Sequence, residues 1–289
     1  MKRSRLTALL LVSPWILTFL IFWFFPLVYS LVMGFTDYRL LGQSWQWVGF
    51  ANYHRLLADR DFINAVENTF VFVLGTVPVT TIAALFMALL VNRRFPGRGV
   101  FRAGYFMPSI TAMVVIALIF SNLYQRGGYI ALLAEMVGFT PPEHGFLYSD
   151  KTALYSIMAM DVWMAVGYYM LIFLAGLKAI PEELYEAAKI QGAGRIRQFF
   201  SITVPLLRPV ALFILVINSI KSFQVFVEIF VMTKGKFDTA SMVYFIYDTG
   251  LTTGFQFGYA SAGAYVLFVV IGVFSIVQFL LLRRRQPIW

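Results

Sequence analysis

The fold assignment rests on the segment Pro181-Glu182-Glu183-Leu184-Tyr185-Glu186-Ala187-Ala188-Lys189-Ile190-Gln191-Gly192-Ala193-Gly194, followed by Ile202-Thr203-Val204-Pro205-Leu206-Leu207-Arg208-Pro209. This polar island lies between long apolar segments, so it is well placed to contact a soluble partner. Pro181 favours the first turn of a helix, and Glu182 and Glu183 suit the positive end of its dipole. Gly192 and Gly194 can end that helix, because glycine adopts a positive φ at little cost.

The predicted helix has a narrow face of small side chains. Its members recur at spacings of three and four residues and are Leu184, Ala187, Ala188 and Gln191. Such a face allows a partner groove to approach closely. A second helix is expected from Arg195 onward, and Pro205 and Pro209 are expected to bend or break it. Periodicity alone is equally typical of a helical hairpin that lies on the lipid surface.

The composition excludes the soluble globular class. The chain has 289 residues, 60% of them hydrophobic and 13% charged, with a net charge of +9. Six apolar stretches are long enough to cross a bilayer, which takes about 20 residues; they are 6–33, 65–91, 103–124, 152–177, 209–232 and 259–282. The first resembles a signal peptide but is too long and lacks a small-residue cleavage site, so we expect a retained helix.

Basic residues predict the orientation of these spans. With both termini in the cytoplasm, the predicted internal segments hold 15 Lys and Arg, the external segments hold seven, and Lys221 lies inside the fifth span. This bias follows the positive-inside rule and places the polar island in the cytoplasm. The external segments are too short for a separate core. We therefore expect an all-α membrane protein with six transmembrane helices, one domain over residues 1–289, and a cytoplasmic loop at about 178–208.

The polar island resembles the coupling loop of carbohydrate-type permease subunits in binding-protein-dependent ABC importers. Six residues match the family pattern in order and spacing: Glu186, Ala187, Ala188, Gly192, Ile202 and Pro205. Weaker similarities to maltose and glycerol-phosphate type permeases extend over nearly the whole chain, among them the segments 48–53 and 95–99. Gln191 replaces the Asp of many members and Val204 replaces the usual Leu, so a charge contact at position 191 is in doubt.

The resemblance implies the type I ABC importer permease fold and a subunit that couples ATPase closure to alternating access. The residues it assigns to ATPase coupling are Glu182, Glu183, Glu186, Ala187, Ala188, Gly192 and Ala193. It implies a second homologous permease subunit, two copies of an ABC ATPase, an extracytoplasmic solute-binding protein and a sugar or related polar solute. The chain would lie in a bacterial or archaeal inner membrane. It would hold no cofactor, since ATP and Mg²⁺ would bind the partner ATPase.

Polar residues within the spans indicate a translocation path. Asn218, Lys221, Gln224 and Glu228 recur in the fifth span at spacings that favour one helix face, and Asp161 and Trp163 lie in the fourth. A charge at membrane depth costs about 3 kcal/mol on insertion scales, so such groups usually face a cavity or a partner. An equally weighted interpretation is a structural stripe in which Lys221 and Glu228 pair with neighbouring helices.

Other function classes find less support. The chain has no phosphate-binding loop of the Gly-x-x-x-x-Gly-Lys-Ser/Thr type, so it is not expected to be an enzyme that hydrolyses ATP. It has no cysteine, and its two histidines, His54 and His144, lie in separate segments, so no metal site is expected. The alternative that stays open is an ion- or proton-coupled secondary transporter acting without an ATPase. A scaffold or membrane-bound enzyme is a third class.

Overall fold

A computed structural model describes residues 2–39, 42, 45–93 and 95–282, and the side chains from residue 10 onward. The basic residues Arg94 and Arg283–Arg285, which entered the orientation count, lie outside the described residues. The described part is helical, with two isolated β-bridges and no strand. Its α-helices are α1 Lys2–Phe19, α2 Phe25–Met33, α3 Ala51–Ala58, α4 Arg60–Asn92, α5 Arg98–Ile110, α6 Met113–Leu123, α7 Tyr129–Met136, α8 Ala153–Lys178, α9 Glu182–Ile190, α10 Arg195–Gln198, α11 Val204–Phe223, α12 Val227–Met232, α13 Met242–Tyr247 and α14 Phe257–Leu282.

Five helical segments are long and apolar enough to cross a membrane. They are Leu10–Met33, Arg60–Asn92, Ala153–Lys178, Arg195–Met232 and Phe257–Leu282. Short π-helical segments, Leu20–Phe24 and Phe199–Thr203, continue the helix in the first and fourth of these. The five segments correspond to five of the six predicted spans.

The predicted span at 103–124 is not one straight helix. It consists of α5 and α6, which meet at an angle of 97°. Thr111 and Ala112 are extended between them, with ψ of 144° and 128°. Pro108 lies in the last turn of α5 and lacks an N–H, which frees a carbonyl there. The hydroxyls of Ser109 and Thr111 donate to the carbonyls of Phe106 and Met107 in the last turn of α5.

The chain divides into two compact units. The first contains Met1–Ile63 and Phe245–Val269. Its loop after α2 is held by Asn52, whose side chain donates to the carbonyls of Gly34 and Thr36 at 3.0 and 2.8 Å. Gly258 at the start of α14 packs directly on this loop, since a Cβ there would lie 2.0 Å from the Thr36 carbonyl oxygen.

The second unit contains Asn64–Tyr244 and Val270–Trp289. Its largest core cluster joins α4, α8 and α11 through residues such as Ala88, Met170, Phe173 and Ile214, all with at most 1% of their surface exposed. α5 crosses α8 closely at Gly167, where a Cβ would lie 1.9 Å from the Tyr105 carbonyl oxygen. Small residues permit such approaches in lipid, where packing drives helix association.

Candidate functional site

The α9 helix is the predicted coupling helix, and its C-terminal end has the glycine cap that the sequence predicts. It begins at Glu182 with Pro181 as its N-cap, one position before the predicted place of the proline. Gly192 has φ +78° and donates to the Lys189 carbonyl, while Ala193 donates to the Ala188 carbonyl, both at 2.9 Å. These two bonds form a Schellman motif, in which the left-handed residue is usually glycine. Gly194 instead has φ −70° and begins α10 as its N-cap.

One side-chain contact attaches the hairpin of α9 and α10 to the helix that follows, and a second lies within the hairpin. The Tyr185 hydroxyl lies 2.9 Å from the Thr203 hydroxyl, at the junction with α11. Gln198 is buried and donates to the Ala193 carbonyl at 2.8 Å. The contact of Tyr185 with Thr203 therefore links α9 to the start of α11. Sequence reasoning missed Tyr185, although a single aromatic residue in a polar helix is a usable signal.

The rest of α9 points away from the chain. Glu182, Glu183, Glu186 and Ala187 are exposed, and Ala188 and Ala193 are half-buried. Ile190 is 88% exposed, and Ile196 on α10 is 77% exposed. Exposed apolar side chains on short helices suit docking into a groove of another protein. The assignment of these residues to ATPase coupling stays a prediction.

A cavity of about 490 Å³ within the second unit gathers most of the predicted path residues. Asp161 of α8, Asn218 and Lys221 of α11, Gln224, and Glu228 of α12 all line it. Sequence reasoning missed four further polar lining residues, which are Ser109, Tyr168, Tyr169 and Ser222. The tyrosine pair inside an apolar span was the signal available for two of them.

The fifth span is interrupted at this cavity. α11 ends at Phe223 and α12 begins at Val227, so the predicted continuous helix face is wrong for the stretch from Asn218 to Glu228. Ser241 donates to the Val225 carbonyl at 2.7 Å, which satisfies a backbone group that the break leaves free. The break, rather than a period of 3.6 residues, brings Gln224 and Glu228 to the cavity.

Two buried polar groups in the cavity wall have no partner. Within the described residues, the Asn218 amide nitrogen and the Tyr169 hydroxyl form no hydrogen bond, and their residues are 3% and 1% exposed. A buried unpaired polar group costs about 1–3 kcal/mol and calls for an explanation. The Lys221 ammonium lies 5.6 Å from the centroid of the Tyr168 ring. The wall therefore offers donors, acceptors and aromatic faces to a polar occupant.

Trp163 lies apart from this cavity. Its ring packs against Phe120 with centroids 5.2 Å apart, and it lines a separate groove with Phe101 and Tyr105 of α5. The structure therefore unites five of the six predicted path residues and leaves Trp163 outside. Whether they form a translocation path stays a prediction.

Comparisons with known proteins agree with these features. The family model of the "Binding-protein-dependent transport system inner membrane component" matches residues 77–286. The probable ABC transporter permease protein YesP of Bacillus subtilis (strain 168) is 34% identical over 284 residues, which cover 96% of this chain and 91% of that protein. The arabinooligosaccharides transport system permease protein AraP of Halalkalibacterium halodurans is 31% identical, with 95% and 87% covered.

A solved structure has the same fold. A chain of a bacterial alginate ABC transporter, in complex with an alginate pentasaccharide-bound periplasmic protein, superposes with a TM-score of 0.83 at 24% sequence identity. The match covers 98% of this chain and 96% of that one. Because the family model spans more than half of the chain, the chain belongs to the family of binding-protein-dependent transport system inner membrane components.

Proposed function

We propose that this chain is a permease subunit that passes a sugar or related polar solute through the membrane, driven by ATP hydrolysis on a separate subunit. The observation that most directly supports this proposal is the exposed α9 helix, which is capped at Gly192 and attached to α11 through Tyr185 and Thr203. Its relative AraP is named for arabinooligosaccharide transport, which supports the sugar class.

The coupling follows the covalent and hydrogen-bonded path from α9 to the cavity. Closure of the ATPase subunits would displace α9, and the contact of Tyr185 with Thr203 would carry the motion into α11. α11 carries Asn218 and Lys221 in the cavity wall. Moving this helix would therefore change which side of the membrane the cavity faces.

The cavity chemistry favours a solute rich in hydroxyl groups. Each hydroxyl can both donate and accept, so it can pair with the free Asn218 amide and Tyr169 hydroxyl. Asp161 and Glu228 add acceptors, and Lys221 adds donors. A solute that satisfies these groups gains more than one that leaves them unpaired.

The proposed assembly contains a second homologous permease subunit, two ATPase subunits that bind ATP and Mg²⁺, and an extracytoplasmic solute-binding protein. The segment Leu10–Met33 has no buried residue in its most apolar window. Such an uncovered helix is expected to contact lipid or a partner subunit on all sides. We propose cytoplasmic termini on the bias of Lys and Arg toward the segments on that side.

Co-purification tests the coupling proposal. We expect the tagged chain, solubilised from its native membrane, to retain an ATPase subunit and a second permease. Glu186→Lys reverses a charge on the exposed face of α9, so it should release the ATPase and abolish ATP-driven uptake. Glu135→Lys is the matched control on exposed α7 and should retain the ATPase. Recovery of the chain alone, with gradient-driven uptake in the absence of ATP, contradicts the proposal.

A second pair of variants tests the solute path. Asn218→Leu and Thr80→Val each remove a buried polar side chain with an unpaired atom, but only Asn218 lines the cavity. Both should leave thermal stability unchanged or raised, because no hydrogen bond is lost. Uptake measured in proteoliposomes should fall about tenfold or more for Asn218→Leu, because losing one hydrogen bond to the solute costs about 1.4 kcal/mol. Equal uptake by the two variants contradicts a role of Asn218 in the path.

A further inference from the structure

A second cavity lies beside the hairpin of α9 and α10, and we name it the hairpin cavity. It has a volume of about 610 Å³. Its walls come from the C-terminal ends of α4 and α8 and from the hairpin itself, and Arg93, Arg195, Tyr185, Ile196, Phe199 and Phe200 are among its lining residues. It shares no residue with the cavity that holds Asn218. Solute passage leaves it without a role, and two of its lining residues, Tyr185 and Thr203, form the contact that links α9 to α11.

The polar part of the hairpin cavity is basic. Arg93 and Arg195 are among its lining residues, and none of the described residues that line it is acidic. The Tyr185 and Thr203 hydroxyls are already paired with each other, whereas the Asn92 amide adds further hydrogen-bonding capacity. Guanidinium groups bind phosphate oxygens in a bidentate manner and stay charged at every physiological pH. The ligand whose charge best matches this cavity is therefore a phosphate-bearing anion.

The remaining wall is apolar and open. Leu89, Leu177 and Phe199 line the cavity, together with Ile196 and Phe200, which are 77% and 65% exposed. Asn92 and Arg93 mark the end of a membrane-spanning helix, so the cavity lies at the level of the membrane interface. A soluble phosphate would leave this apolar wall in water, whereas an acyl chain would cover it.

We propose that the hairpin cavity binds an anionic phospholipid, with its phosphate between Arg93 and Arg195 and its acyl chains along Phe199 and Phe200. Basic pockets between transmembrane helices on the cytoplasmic side suit anionic headgroups, because that leaflet is negatively charged. The bound lipid would contact Tyr185 and so brace the attachment of α9 to α11. The binding itself is independent of the proposed transport function.

Lipid retention on the purified full-length chain tests this site. After delipidation, the chain is titrated with phosphatidylglycerol or phosphatidylcholine and examined by native mass spectrometry. We expect a preference for phosphatidylglycerol that Arg93→Gln/Arg195→Gln reduces about tenfold or more, from the loss of charge-assisted hydrogen bonds. The matched control Arg102→Gln/Arg197→Gln removes two exposed arginines outside the cavity and should retain the preference.

Further variants and a competition experiment distinguish the lipid from other ligands of the cavity. The variant Arg93→Lys/Arg195→Lys keeps the charge without the bidentate fork, so an intermediate loss supports the site even where the Gln variant folds poorly. Inorganic phosphate at millimolar concentration should not displace the lipid, and displacement by it would overturn the proposal in favour of a soluble anion. Unchanged lipid retention in the Gln variant, accompanied by loss of the ATPase, would reassign these arginines to the subunit interface.

Discussion

At the scale of single residues, Gly192 decides how the α9 helix ends. Its φ of +78° is strained for any residue with a Cβ, although no atom lies within 4 Å of where that Cβ would be. The requirement is therefore conformational and not steric. Sequence reasoning identified this glycine because left-handed caps have a strong residue preference. It assigned Gly194 the same task, whereas the structure gives Gly194 the opposite sign of φ.

Gly192→Ala should weaken ATPase docking without unfolding the chain. A left-handed alanine costs about 1–2 kcal/mol, which corresponds to roughly a 5- to 30-fold loss of the correctly capped hairpin. We expect a matching increase in the Kd of the ATPase, measured by binding of the purified subunit to the permease in nanodiscs.

Gly194→Ala is the control for this prediction. It also adds a Cβ in open space, but its backbone has φ −70°, which alanine adopts freely. Docking by this variant should equal that of the unchanged chain. Equal weakening by both variants would show that the hairpin needs small side chains there and not a left-handed cap.

At the scale of elements, the crossing of α5 over α8 determines the packing of the bent third span. Gly167 permits it, since an added Cβ would meet backbone atoms of Tyr105 and Phe106 at 1.9–3.1 Å. Backbone cannot move aside as the end of a flexible side chain can. The sequence signals for the bend itself were Pro108 and Ser109, which were read as parts of one apolar stretch.

Gly167→Ala should destabilise the helix pair by about 1–3 kcal/mol, as overpacking usually does. We expect a lower midpoint of thermal unfolding for the chain in detergent, followed by intrinsic tryptophan fluorescence. Gly104→Ala on α5 provides the control, because its Cβ would meet nothing within 4 Å and alanine is the better helix former. A midpoint for Gly167→Ala equal to that of the control would mean that the helices are not in contact here.

At the scale of the whole molecule, the proposed orientation in the membrane rests on charge and not on any contact. The chain contains no cysteine, so single cysteines can be introduced without removing others. Lys236→Cys and Lys178→Cys both replace exposed side chains, at opposite predicted sides. With cytoplasmic termini, an impermeant maleimide should label only Lys236→Cys in spheroplasts, and Lys178→Cys after permeabilisation. The reverse pattern would invert the proposed topology.

The sequence by itself determined the membrane class and the positions of the apolar spans, because hydrophobicity is a local property. The family was recognised from the resemblance of the motif at 186–205, and the family model confirms it. Only the tertiary structure decided which polar residues meet. Asp161 and Glu228 lie 67 positions apart and reach one cavity only because α8 packs on α11 and the fifth span breaks after Phe223. Tyr169 was missed and Trp163 misplaced for the same reason. Residue spacing in the sequence shows which side chains share a helix face, whereas the cavity forms where helices bend and cross.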